Sequence, residues 1–89
     1  MSMKIIFSQH ALDQLADRGT TQEEVKQAIQ EGEKQMAKKG RLSFKKNFSF
    51  DKNWKGRYYS SRQVMPIVAE EENQYIVLTV YVFFYGGGE

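Results

Sequence analysis

Tyr75-Ile76-Val77-Leu78-Thr79-Val80-Tyr81-Val82-Phe83-Phe84-Tyr85 decides the fold of this 89-residue chain. Every residue in it is β-branched, aromatic or aliphatic, as strands favour. Successive side chains of a strand point to opposite faces, so Ile76, Leu78, Val80, Val82 and Phe84 form a wholly apolar face. Tyr75, Val77, Thr79, Tyr81, Phe83 and Tyr85 form a mixed one. The apolar face needs a cover, and the first third of the chain supplies it.

Lys4 to Phe7 reads as a short strand. Ser8 can cap a helix whose apolar positions are Ala11, Leu12, Leu15 and Ala16, and Arg18-Gly19 is a basic last turn with a glycine stop. Thr21 and Glu24 have capping-box spacing, and Val25, Ala28 and Ile29 give the second helix its stripe before Gly32 ends it. The spacing predicts helices near 9–17 and 21–31.

Beyond Gly32 the period becomes alternating. Leu42, Phe44, Phe48 and Phe50 share one parity, broken by Lys46, so that strand is expected to be short, bulged or at an edge. Asp51-Lys52-Asn53 is turn chemistry. Tyr58 to Ala69 is one strand or two, because Pro66 cannot donate to a ladder and implies an edge or a bend. Glu71-Glu72-Asn73 returns the chain into the last strand. The expected fold is α+β: two N-terminal helices packed on one face of a four- to five-stranded antiparallel sheet, a single domain over 1–89 with 86–89 a flexible tail.

Charge is segregated along the chain. From Lys34 to Arg62 there are ten basic side chains and one acid, Asp51, a balance of +9; the rest, with three basic and ten acidic side chains, carries −7. The same stretch holds six of the twelve aromatics. Positive charge attracts polyanions, and interleaved rings offer surfaces on which bases stack, so nucleic acid, RNA or single-stranded DNA, is the first expected partner. Without cysteine, and with one histidine, the chain has no disulfide, thiolate nucleophile or zinc cluster, and no cofactor is expected. The apolar run is half the length of a membrane-crossing helix and the start is too short for a signal peptide. A soluble, cytoplasmic chain without a membrane partner is the expectation.

The individual candidates follow from chemistry. Arg57 and Arg62 present rigid forks suited to two phosphate oxygens, and Tyr81, beside Thr79, stands on the strand face away from the helices. His10, in the first helical turn, could move a proton near neutral pH, or brace the helix start. Lys38, Lys39, Lys45 and Lys46 suit contacts to the phosphate backbone, and Trp54 and Tyr59 suit stacking. Taken singly, each of these residue types is ordinary on a solvated strand or loop; their co-location raises them above that.

Phe7-Ser-Gln-His-Ala at the start, Arg18-Gly-Thr-Thr-Gln-Glu-Glu-Val25 after it and Val77-Leu-Thr-Val-Tyr81 near the end resemble the domain-of-unknown-function 4258 family, which is placed with the RelE-like toxins. Thr20 stands where that family has an aliphatic residue, and Leu15 where methionine is common. The resemblance implies helices on an antiparallel sheet, a metal-independent ribonuclease activity in many relatives, and an acidic antitoxin-type partner. Two readings follow. One is a toxin-type ribonuclease using Arg62, Tyr81, Arg57 and His10. The other is a non-catalytic interaction module that holds RNA or an acidic protein on a basic-aromatic sheet face. Self-association through the exposed edge and aromatics, giving a homo-oligomer, is a third.

Overall fold

A computed structural model describes residues 3–87. Strand β1 (Lys4–Phe7) leads into helices α1 (Gln9–Arg18) and α2 (Gln22–Glu31). Then come β2 (Glu33–Met36), a 3-10 turn (Lys38–Gly40), β3 (Leu42–Trp54), β4 (Arg57–Glu71) and β5 (Gln74–Tyr85). The strands form one sheet in the order β1-β5-β4-β3-β2. The two helices lie on one face of it, as the alternation required, but the sheet is mixed. β1 runs parallel to β5, while the other neighbours are antiparallel. The helix pair carries the chain from one edge of the sheet to the other, which sets the direction of β1 independently of the hairpins.

Both helices start and stop where their caps lie. Ser8 Oγ accepts the Ala11 amide at 3.1 Å and Thr21 Oγ1 accepts that of Glu24 at 3.2 Å. Gly19 closes α1 at φ 79°, a left-handed conformation available to glycine without strain. Ala11, Leu15, Val25, Ala28 and Ile29 are buried against Leu42, Phe44, Val64, Val68, Val77 and Val80.

The inward face of β5 is not the single parity that its sequence predicts. Val68 pairs with Val77, but Ile67 pairs with Thr79, leaving Leu78 as an extra residue. This bulge moves the inward set by one position. Val77 and Val80 are both fully buried, whereas Ile76 and Leu78 leave the core to them. Beyond the bulge the expectation holds, with Tyr81 39% exposed on the face away from the helices. Pro66 belongs to neither an edge nor a bend. It is buried in β4, between β3 and β5, where the β3 register passes from Ser43↔Ile67 to Lys46↔Val64 and the ladder is interrupted across the proline.

The hairpins also differ from the sequence reading. Asp51-Lys52-Asn53 is not a turn: a bulge between Ser49 and Lys52, with Asp51 at φ 51°, lets β3 continue to Trp54. The turn is Lys55-Gly56, with φ 51° and 84°, the two-residue form that matches strand twist. Glu72-Asn73 makes the other, as expected. Gly86 extends the last ladder by accepting the Ser60 amide at 3.1 Å, and residues 88–89 of the expected tail lie outside the described residues. The molecule is elongated, 46 Å by 24 Å by 24 Å, because the β3–β4 hairpin outgrows its neighbours.

Candidate nucleic-acid interface

The distal half of that hairpin folds against the junction between the helices. Ala16, Gly19, Thr20, Thr21 and Glu24 form one wall of a cleft of about 400 Å³. Phe50, Lys52, Asn53, Trp54 and Arg62 form the other. The aromatic side is built around Phe84. Trp54 stacks on it at 5.2 Å and 11°, and Phe50 and Tyr59 approach at 5.3 Å and 5.4 Å. Lys52 and Lys55 hold their ammonium groups 5.7 Å and 5.5 Å from the Phe50 and Trp54 rings. The start of α2 opens beside Lys52, with the Thr21 and Glu24 amides taken by the capping box, so the charge of the lysine is what favours an anion here.

The floor of the cleft is an ion pair. Whether Arg62 lies on the open sheet face depends on the register of β4; residues 62, 64, 66 and 68 are buried towards the helices, and Arg62 is 8% exposed there. It pairs with Glu24 through both terminal nitrogens and donates to the Gly19 carbonyl at 2.8 Å. Phe48 and Phe50 lie over its guanidinium at 5.8 Å and 5.1 Å. Burial works against ionisation of Glu24. The hydrogen bonds from Arg62 and Thr20, the charge of Arg62 and the Thr21 amide outweigh it and hold the carboxyl below its ordinary value. The pair neutralises Glu24, leaving Lys52 as the charged group facing the cleft mouth.

The other candidates are dispersed. Trp54 and Arg62 line the cleft, Tyr59 packs behind it, and Arg57 is exposed at the hairpin tip opposite Trp54. Lys46 turns towards the end of α2, 3.5 Å from Glu31. Lys45 pairs in register with Glu33, and Lys38 and Lys39 occupy the 3-10 turn at the opposite end of β3. At about 3.3 Å per residue, the length of β3 separates those two lysines from the hairpin tip by roughly 40 Å. His10 is exposed in the first turn of α1. Tyr81 is on the outer face, its ring 5.6 Å from Arg18. The outer face is therefore aromatic at its centre, with basic side chains only at its rim, Arg18 beside Tyr81 and Lys45 on β3, which corrects the expected basic-aromatic sheet face. The bulges in β3 and β5, invisible to strict alternation, redistribute the two properties.

Four contributors were not singled out in the sequence. Lys52 was one basic residue among ten, Phe84 was assigned to the apolar strand face, and Thr20 and Glu24 were read only as family or capping positions. Glu24 carried one usable signal, since a capping-box carboxylate half-buried opposite an arginine-bearing strand can serve both. Among the described residues no group of histidine, cysteine, aspartate and glutamate could hold a metal ion, and no helix is long and apolar enough to cross a membrane.

A family model described as Domain of unknown function (DUF4258) matches residues 7–82. No curated protein and no solved structure matches the chain.

Proposed function

The chain belongs to the DUF4258 family, a domain of unknown function, and from that premise we propose that it is a non-catalytic module that binds single-stranded RNA. The observation that carries the reading is the hairpin cleft, where Lys52 and the Trp54–Phe84 stack share one opening. A cationic groove beside rings is the arrangement that holds single strands without reading sequence, because every base has a face to stack and every phosphate a charge to neutralise. Arg57 and Lys55 at the tip extend the positive surface.

Cleavage asks for more. A base must take the 2′-hydroxyl proton while an acid serves the leaving oxygen, both within reach of one phosphate. His10, Arg62 and Tyr81 stand on three different surfaces, and Arg62 is already engaged by Glu24. Kinship with the RelE-like toxins, which the two-helix, one-sheet architecture supports, enters this reading for its fold and not for its ribonuclease activity. Such a module would act in the cytoplasm, and an acidic protein competing with RNA would meet the same cations.

The test is fluorescence anisotropy with a labelled mixed-sequence single-stranded RNA over a range of salt. Binding should weaken with a log–log slope of about −0.7 for each phosphate neutralised. Absence of binding at low salt, or a flat response, defeats the proposal. RNA cleavage that continues in chelator and is lost in His10→Ala would return the ribonuclease in its place.

A further inference from the structure

The RNA seat uses the helix side of the sheet and leaves the other side bare. Gln63, Met65 and Ile67 of β4 stand there beside Tyr81, Phe83 and Tyr85 of β5. Tyr81 and Phe83 stack at 6.3 Å and 16°, and Phe83 and Tyr85 are 49% and 44% exposed. The chain is 27% charged, yet between Ser61 and Ala69 the only charged residue is Arg62, which points the opposite way. Between Ile76 and Tyr85 there is none. Among the described residues charge reaches this face at its rim, from Arg18 beside Tyr81 and from the Lys45–Glu33 pair of β3 and β2.

We infer that this face pairs with a second copy of itself, sheet against sheet, in a two-fold homodimer. The absence of charge selects the occupant. In a two-fold pair each patch meets its own image, so any net charge would meet like charge. An uncharged aromatic patch escapes that penalty, and exposed rings are the side chains that most often anchor interfaces. RNA would find no cation under its phosphates here, and an acidic peptide no counter-charge. The size is sufficient for a weak pair. The three long strands, β3 to β5, about 4.8 Å apart and roughly 27 Å long, cover about 390 Å² per copy, on the order of 800 Å² in all, the size of a weak, reversible contact. The RNA cleft lies on the reverse of the sheet, so pairing leaves both clefts open, and the inference does not depend on their function.

Sedimentation velocity over a range of protein concentration tests it. A reversible monomer–dimer equilibrium is expected, with the dimer weakened more than about tenfold by Phe83→Lys, which removes an anchor ring and adds like charge. Circular dichroism confirms that the variant is folded. Because the chain has no cysteine, Phe83→Cys supplies a second readout. It should form a disulfide dimer under mild oxidation at least about tenfold faster than Gln27→Cys on the exposed side of α2, since pairing raises the local thiol concentration. A monomer at every concentration, a dimer indifferent to Phe83→Lys, equal crosslinking at both positions, or a dimer dissolved by RNA each overturns the inference.

Discussion

Arg62 of β4 and Glu24 of α2 are joined by two parallel hydrogen bonds across the boundary between sheet and helices. Nη1 donates to Glu24 Oε1 at 2.6 Å and Nη2 to Oε2, while Nη1 also reaches the Gly19 carbonyl. One guanidinium thus ties the last residue of the α1 stop to the first turn of α2. Its Nε is buried without a partner, so the arrangement is held by the two terminal nitrogens and the flanking rings.

Removing either member leaves the other charge poorly solvated. Arg62→Ala should lower unfolding free energy by about 3 kcal/mol, the low end for breaking a buried pair. Replacing both, as Glu24→Gln with Arg62→Met, should cost less than Arg62→Ala alone, because no charge is stranded. Urea denaturation of the variants decides; a loss under about 1 kcal/mol in Arg62→Ala would make the pair a surface ornament instead of a clasp.

The same pair predicts an acid dependence. Glu24 titrates below its ordinary value of 4.5 in the folded chain, so the unfolded chain binds its proton first as pH falls. The stabilisation from Glu24 is therefore complete above about 4.5 and is lost as pH drops through the folded value. Thermal melts from neutral to acid pH should show this decline in the wild type and a shallower one in Glu24→Gln. Parallel curves would remove Glu24 from acid unfolding.

Gly19 is fixed by both conformation and space. At φ 79°, an added Cβ would stand 3.0 Å from the rings of Phe84 and Trp54. Gly19→Ala should cost about 1–3 kcal/mol from the left-handed backbone alone, and the cleft wall must also yield. Gly40, at φ 72° with open space around it, should cost only the backbone part. Equal melting temperatures for the two alanine variants would show that the ring contact carries no weight.

The parts of the fold set by local chemistry were legible from the residues. Ser8, Gly19, Thr21 and Gly32 bound the helices because caps act within a few residues of themselves, and the Glu72-Asn73 turn follows the same rule. What escaped was anything that moves a register. Leu78 as a bulge, Asp51 as a bulge instead of a turn and Pro66 in a central strand all depend on how a neighbouring strand is aligned, which a single alternation does not encode. The site suffered most from this. Arg62 could share the open face of Tyr81 in one register of β4, and the observed pairing sends them to opposite sides. Lys52 and Trp54 lay in the segment that the charge balance had marked, but Glu24 and Phe84, on distant elements, complete their cleft only in three dimensions.

Separate effects are expected at the two sides of the sheet. Lys52→Ala should weaken single-stranded RNA binding and reduce the salt slope by about 0.7, the contribution of one phosphate contact. Trp54→Ala should weaken binding by about 1–3 kcal/mol for a lost stack while leaving the slope unchanged, and Trp54→Phe, which keeps a ring against Phe84, should recover most of it. Tyr81→Ala, on the outer face, should alter neither affinity nor slope. The contrast between slope and affinity matters because a destabilised hairpin would lower both together, whereas a lost charge and a lost ring act on different terms. Anisotropy titrations of the four variants at three salt concentrations supply the comparison. If Tyr81→Ala weakens binding as much as Trp54→Ala does, RNA lies on the outer face and the hairpin cleft is not its seat.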